Sequence, residues 1–250
     1  MVIPARLNSK RLPGKVLIKF DNKSMIEHVW QRAKLAAPNN ELIVVTDNQK
    51  IAKECSVFGA QVAMTSKQHS NGLSRISEIS GNLDWDFFIV LQADELLLPP
   101  ENIKKLIYEI EQESNYDVFN LITKLNFHEL SDRNVVKCAV GNGDNIITFF
   151  RKNWLTTNYN SSLNTLRKVC GIYALSKQTM HFVKKHKTQI LERNESIEQF
   201  KFLELGRKIK GVNIPKGYIS INTPKDLIWA KKIIKTDQTQ KKIISIYNNF

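Results

Sequence analysis

The run Phe87-Phe88-Ile89-Val90-Leu91 passes straight into Gln92-Ala93-Asp94-Glu95. A strand without polar alternation is covered on both faces, which is the condition of a buried parallel sheet. Leu42-Ile43-Val44-Val45 repeats the pattern ahead of Thr46-Asp47, and Met1–Ala5 does so ahead of Arg6. Helical stretches separate these runs. Ser24 and Glu27 form a capping-box pattern, with Ile26, Val29, Trp30 and Ala33 at helical spacing up to Pro38-Asn39-Asn40. Gln49–Phe58 reads as a helix stopped by Gly59, Val62-Ala63-Met64 as a short strand, and Pro99-Pro100 as the start of a helix through Glu113. The alternation predicts an α/β fold with a doubly wound, mostly parallel sheet. Ligands of such sheets bind beyond the carboxyl ends of the strands. Arg6, Asp47 and Asp94 each lie just past a strand end and are expected to share one crevice.

The second half has another texture. Val118–Leu125, Val135–Val140 and Ile146–Phe150 read as longer strands, with turns at Gly141–Asp144 and Asn158–Asn164. Val169–Ala174 is a further strand, Glu195–Leu205 a helix ended by Gly206, and Asp226–Lys235 a terminal helix capped by Thr223-Pro224. The expectation is one domain over residues 1–250 carrying a smaller mixed insertion over 126–206, with Asn153–Asn164 as a mobile loop. The opening strand is short, so the natural chain is expected to begin slightly earlier.

Composition narrows the class. With 250 residues, 42% of them hydrophobic and 24% charged, the chain can bury a core and is not wholly disordered. No apolar run reaches the roughly 18–20 residues of a membrane span. No signal-peptide pattern opens the chain, and the three cysteines, Cys55, Cys138 and Cys170, lack metal-site spacing. A cytoplasmic enzyme with reduced thiols is therefore expected. The formal net charge of +13 is uneven: residues 1–94 hold 12 basic and 9 acidic side chains, residues 95–180 hold 10 and 9, and residues 181–250 hold 15 and 6. A basic end of this kind suits nucleic acid or an anionic membrane surface, or forms a solvated helix face. No aromatic series interleaves with the lysines and no recognition motif is present, so neither nucleic-acid binding nor stable membrane association is expected.

Ile3-Pro4-Ala5-Arg6-Leu7-Asn8-Ser9-Lys10-Arg11-Leu12-Pro13-Gly14-Lys15 joins a strand end to a loop with four cations. Such a loop can surround a triphosphate with backbone N–H groups and basic side chains, although basic loops are also common solvated features. It matches neither a Walker loop nor a dinucleotide fingerprint. Further strings follow in order: Met25-Ile26-Glu27-His28-Val29, Val45-Thr46-Asp47, His69-Ser70-Asn71-Gly72-Leu73-Ser74-Arg75, Gln92-Ala93-Asp94-Glu95, Asn134-Val135-Val136-Lys137, Phe149-Phe150-Arg151, Gly171-Ile172-Tyr173, Ile197-Glu198-Gln199 and Asn222-Thr223-Pro224-Lys225-Asp226-Leu227. The ordered set, over nearly the whole chain, resembles the sugar nucleotidyltransferases that activate acidic sugars with CTP, and within them the 3-deoxy-manno-octulosonate cytidylyltransferase (CMP-Kdo synthetase) family.

That resemblance implies the fold already expected, and a reaction in which a sugar hydroxyl attacks the α-phosphorus of CTP and pyrophosphate leaves. Positioning and charge neutralisation dominate such chemistry. The resemblance implies Arg6, Lys15 and Asp94 as catalytic residues. It places Arg6, Lys10, Lys15, Asn71, Arg75 and Gln92 on the nucleotide. Gln92, Arg151, Tyr173, Glu198 and Gln199 are placed on the sugar, and Asp94 and Asn222 on Mg²⁺. Lys10 equally suits solvent, as does Arg11. The partners implied are CTP, an acidic ulosonic sugar and a second copy of the chain, the insertion serving sugar binding and dimerisation, with a product destined for surface polysaccharide or lipopolysaccharide.

Several positions depart from the family's pattern. Ala93 stands for a glycine, and Leu73-Ser74 for a threonine followed by a carboxylate. Cys170 stands for Leu in the family's His-Leu-Gly-Ile-Tyr and Val169 for its His, and Phe150 for a serine. Asn222 stands for the second metal carboxylate. The sugar side differs more than the triphosphate side. Two further readings stay open: a weakly active or non-catalytic nucleotide binder with a degraded metal site, and a binder of nucleic acid or membrane surface driven by the net charge.

Overall fold

The computed structural model describes residues 1–9, 11–152, 165–186 and 189–248. Its strands are β1 (Val2–Ala5), β2 (Lys19–Phe20), β3 (Lys23–Ser24), β4 (Ile43–Thr46), β5 (Gln61–Met64), β6 (Phe87–Leu91), β7 (Val118–Lys124), β8 (Lys137–Val140), β9 (Ile146–Phe150), β10 (Leu166–Ser176) and β11 (Ile209–Asn213). Its helices are α1 (Met25–Ala36), α2 (Gln49–Val57), α3 (Gly72–Ile79), α4 (Pro100–Gln112), α5 (Phe127–Ser131), α6 (Lys177–Lys185), α7 (Ile190–Glu195), α8 (Phe200–Glu204), α9 (Pro224–Thr236) and α10 (Gln238–Asn248). The chain divides into two compact units, one of Met1–Asn82, Ile89–Lys104 and Tyr218–Phe250, the other of Leu83–Phe88 and Lys105–Gly217. The Asn153–Asn164 stretch lies outside the described residues, as does Lys10.

The first unit is α/β with parallel strands. β1 pairs with β4 from Val2↔Ile43 to Ala5↔Thr46, β4 pairs with β5, and β6 meets β1 at Val2↔Val90. The order β6-β1-β4-β5 puts the apolar runs where both faces are covered: Val2, Ile3, Val44, Val45, Val90 and Leu91 are buried. Successive crossovers leave β1 on opposite sides, so its carboxyl end is a switch point. α1 buries Met25, Ile26, Val29 and Ala33, the residues at helical spacing. The capping box expected at its start does not form. Ser24 is held in the β2–β3 hairpin opposite Lys19, and Glu27 pairs with Lys23 at 3.3 Å.

α9 begins as anticipated, with Thr223 accepting from the Asp226 N–H and the Asp226 carboxylate accepting from the Thr223 N–H at 2.8 Å. Its buried side joins Phe20, Met25, Leu96, Leu97 and Ile221 in one cluster. α10, which was not anticipated, adds Ile243, Ile244 and Tyr247 against Leu35 and Ile234.

The second unit is mixed. β7 is antiparallel to β10 and parallel to β11, while β10 is antiparallel to β8 and β8 to β9. The helix expected over Glu195–Leu205 is broken, because Ser196 takes a left-handed backbone (φ 52°) that no helix continues through. Ile197, Glu198 and Gln199 therefore sit in the turn between α7 and α8.

Candidate active site

Because β6, β1 and β4 are parallel and adjacent, their carboxyl ends share one edge of the first unit. Asp94 follows β6, Arg6 follows β1 and Asp47 follows β4. The loop after β1 folds back on itself: the Leu7 carbonyl accepts from both Ser9 N and Gly14 N at 3.0 Å. Gly14 makes this possible with φ +68°, a conformation that strains any residue bearing a Cβ. A single 3₁₀ turn, Lys15–Leu17, follows and delivers the Lys15 side chain back to the strand ends.

There the Lys15 ammonium donates to Asp94 Oδ2 at 2.6 Å, to the Ile221 carbonyl at 3.0 Å and to Asn222 Oδ1 at 3.2 Å. Arg11 donates to the same Asn222 oxygen at 3.0 Å. The backbone locks the group together. Ile221 N donates to the Asp94 carbonyl at 3.0 Å, and Asn222 N donates to the Asp226 carboxylate at 3.0 Å. Asp226 thus caps α9 and fixes Asn222 at once. Beside it, buried Glu95 accepts from the Ser220 hydroxyl at 2.5 Å. Three segments far apart in sequence thereby meet on one ammonium group. The sequence singled out Lys15, Asp94 and Asn222. Arg11 stood within the basic string of the loop, whereas Ser220 and the Ile221 carbonyl carried no sequence signal.

Arg6 is exposed and donates to the Ser70 carbonyl at 3.2 Å. Arg75 is buried, pairs with Asp47 at 3.3 Å and donates to Thr65 Oγ1 at 2.5 Å and the Ser66 carbonyl at 3.3 Å. Asn71 caps α3 by accepting from Ser74 N at 2.8 Å. Ser74, in the position of the lost carboxylate, completes that cap through its own hydroxyl. Gln92 immediately follows β6 and is half-buried.

Of the five residues expected on the sugar, Arg151, Tyr173, Glu198 and Gln199 lie in the second unit and Gln92 in the first. Tyr173 on β10 is fully buried and donates to Glu198 Oε2 at 2.9 Å. Burial, with the Glu198 carboxylate next, holds its phenol well above the usual tyrosine range. Gln199 donates to Asn120 Oδ1 at 3.0 Å, and Asn120 donates onward to the carbonyls of Leu121 (2.9 Å) and Cys170 (3.1 Å). Cys170, Gly171 and Ile172 lie where the β7–β10 register shifts between Val169 and Tyr173. Asn120 therefore ties the irregular backbone of the Gly-Ile-Tyr string to Gln199. A polar residue within the otherwise apolar Val118–Ile122 run was the available signal for it. Arg151 aims its guanidinium at backbone carbonyls: Glu195 at 2.9 Å, Ser196 at 3.0 Å, Arg133 at 3.2 Å and Asn134 at 3.5 Å. Lys137, fully buried, donates to the carbonyls of Arg151 (2.5 Å), Asp132 (2.6 Å) and Val135 (2.9 Å). Burial lowers its ammonium to about 8.

Among the described residues no group of three or more His, Cys, Asp or Glu side chains is placed to hold a metal ion. Asp94 and Asn222 nevertheless direct side-chain oxygens at one cation, the Lys15 ammonium. Two hard oxygens converging on one positive charge suit a hard divalent ion whose remaining ligands come from phosphate and water.

A cationic loop at the switch point of a parallel sheet, facing a carboxylate at the next strand end, is the arrangement of a nucleotidyltransferase. The cytidylyltransferase family model matches residues 1–209, and the chain belongs to that family. It is 31% identical over 238 residues to the 3-deoxy-manno-octulosonate cytidylyltransferase of Chlorobium limicola, covering 94% of this chain and 96% of the relative. It is 35% identical over 236 residues to the enzyme of that name from Fusobacterium nucleatum, covering 94% and 96%. A solved structure of CMP:2-keto-3-deoxy-manno-octonic acid synthetase complexed with CTP superposes with TM-score 0.87 at 27% identity, over 94% of this chain and 98% of that one.

Proposed function

We propose that the chain transfers CMP from CTP to 3-deoxy-manno-octulosonate or a close acidic relative, releasing pyrophosphate. The observation that carries this is the convergence of the Lys15 ammonium on Asp94 and Asn222 beside the loop that starts at Arg6. In the reaction the sugar hydroxyl forms a bond to the α-phosphorus as the bond to the pyrophosphate oxygen breaks, and the hydroxyl proton passes to solvent. Arg6, Arg11 and Lys15 bring positive charge to the triphosphate, where pyrophosphate gathers negative charge as it leaves. Asn71, Arg75, Gln92 and Lys10 complete the nucleotide contacts. Asp94 and Asn222 would hold Mg²⁺, which polarises phosphate oxygens when bound.

On the sugar side, Tyr173, Glu198, Gln199 and Gln92 offer hydroxyl, carboxylate and amide groups suited to a polyol. Arg151 is assigned to positioning, since its bonds to Glu195 and Ser196 fix the turn that carries Glu198. We further assign the chain to a cytoplasmic homodimer that supplies a CMP-sugar for lipopolysaccharide or surface polysaccharide, with residues 126–206 serving sugar binding and dimerisation. The test is pyrophosphate release from CTP and Mg²⁺ with a panel of octulosonates and nonulosonates. Release with 3-deoxy-manno-octulosonate is expected, and silence across the panel sinks the assignment.

Asn222 favours a second reading, a nucleotide binder of low activity, because an amide oxygen offers a divalent ion less than a carboxylate. Calorimetric CTP binding without turnover would support it.

A further inference from the structure

The outward face of α9 combines two features that catalysis does not use. Lys225, Ile228, Trp229, Lys231, Lys232 and Lys235 fall within roughly 160° of arc at 3.6 residues per turn. Leu227, Ala230, Ile233 and Ile234 occupy the opposite side and pack into the core. Ile228 is 69% exposed and Trp229 52%. All four lysines are exposed, and among the described residues none has an ion-pair partner. The carboxylates at the two ends of the helix are engaged elsewhere, Asp226 with the Thr223 N–H and Asp237 with the Tyr218 hydroxyl at 3.0 Å. The face is therefore purely cationic around an apolar centre, with the Lys232 ammonium 5.8 Å from the centroid of the Trp229 ring.

A solvated face accounts for the lysines but not for an exposed isoleucine beside an exposed tryptophan. Nucleic acid accounts for the lysines and has no use for Ile228, and one ring makes no stacking series. An anionic bilayer surface accounts for both. Indole settles at headgroup level, the aliphatic side chain enters the acyl boundary, and lysine stems reach back to lipid phosphates. No helix of the described residues is long and apolar enough to cross a membrane. We infer that the outward face of α9 docks the protein reversibly on an anionic lipid surface. Two apolar side chains and four lysines make this a weak, salt-sensitive attachment that coexists with a soluble form.

Sedimentation of the full chain with vesicles of phosphatidylglycerol and phosphatidylcholine, against phosphatidylcholine alone, tests the inference. Binding to the anionic vesicles alone is expected, and it disappears at about 0.5 M salt, where the Debye length falls below ~5 Å. Each lysine near such a surface contributes about fivefold in partitioning, so Lys231→Gln/Lys232→Gln/Lys235→Gln lowers binding at least ~tenfold. A control with the same loss of charge, Lys50→Gln/Lys53→Gln/Lys104→Gln, changes it by no more than about twofold. Trp229→Phe removes the blue shift of tryptophan emission on vesicle binding. All variants keep wild-type thermal midpoints and pyrophosphate release. Equal partitioning into neutral vesicles, or a control as defective as the α9 triple variant, overturns the inference. So does tighter retention by duplex DNA than by vesicles, or self-association that Trp229→Ala abolishes.

Discussion

The Lys15 ammonium holds three oxygens from the Asp94 and Ile221–Asn222 segments at once, and these are the oxygens that a phosphate-bound cation would seek. In the structure the lysine satisfies Asp94, so the carboxylate is not left as an isolated charge at a strand end. When a triphosphate arrives, the same ammonium can turn to it at little cost, because Lys15 trades one set of oxygens for another. Methionine at this position keeps the stem and removes the charge. Lys15→Met is expected to lower kcat/KM for CTP by ~10²–10³-fold, the scale seen when one preorganised donor to a developing charge is lost. A steady-state assay with an unchanged thermal midpoint checks it, and a loss below tenfold would show that Arg6 and Arg11 suffice. Asn222 makes the complementary experiment. It accepts from Lys15 and Arg11, so a carboxylate there meets two cations already in place. Asn222→Asp is expected to lower the Mg²⁺ concentration for half-maximal pyrophosphate release by about tenfold, because each added carboxylate raises affinity for a hard divalent ion. An unchanged or weakened Mg²⁺ dependence would remove Asn222 from the metal site.

Elements differed in how plainly the sequence announced them, for physical reasons. β1, β4 and β6 are largely buried, so no polar residue interrupts their apolar runs, and polar residues stand at or just past their carboxyl ends. α9 was legible through Thr223-Pro224 and Asp226. β11 was not, because Lys210 and Gly211 break its apolar pattern. A Cβ at Gly211 would crowd the Ile122 side chain and the Asp144 carbonyl, so a larger residue there would force a shift. α10 was hidden by its polar first turn, Gln238–Lys242, and by the single residue Asp237 that separates it from α9. The basic loop after β1 stood out because its cations cluster within one short string. The Asn120–Gln199 link was not, because it joins positions 79 apart.

What fixes α10 is a buried polar set on α1. Arg32 Nη2 donates to Gln240 Oε1 at 2.8 Å and Nη1 to the Leu98 carbonyl at 3.0 Å, while His28 lies between the Tyr247 hydroxyl at 2.5 Å and the Phe20 carbonyl at 2.8 Å. Burial, opposed by the Phe20 carbonyl, lowers His28 from 6.5 to about 4. A histidine kept neutral in the folded state takes up its proton more readily when unfolded. Its contribution is therefore complete above pH 6.5 and is lost progressively as pH falls towards about 4, where it has cost about 3 kcal/mol. Thermal midpoints between pH 7.5 and 4.5 should fall more steeply for the wild type than for His28→Gln. Parallel profiles would mean that His28 titrates normally.

At the scale of the whole molecule, charge and binding separate. Residues 1–94 hold a net charge of +3, and residues 181–250 hold +9. The side chains assigned to the nucleotide and metal within the described residues nonetheless all lie in the first unit: Arg6, Arg11, Lys15, Asn71, Arg75, Gln92, Asp94 and Asn222. On this assignment net charge is a poor guide to the CTP site, and linkage supplies a better one. A ligand that binds only the folded chain stabilises it by about 2.7 kcal/mol at a concentration of 100 Kd. For a chain of this size that corresponds to a rise of roughly 5–10 °C in the midpoint. Calorimetry with CTP and Mg²⁺ should show this rise in the transition that unfolds the first unit, whether or not acceptor sugar is present. Lys15→Met should lose most of it, since the variant lacks the ammonium that the triphosphate replaces Asp94 to reach. The Lys231→Gln/Lys232→Gln/Lys235→Gln variant should keep all of it, although it removes three positive charges. A shift that followed the C-terminal lysines instead would mean that long-range charge, rather than the loop after β1, holds the nucleotide.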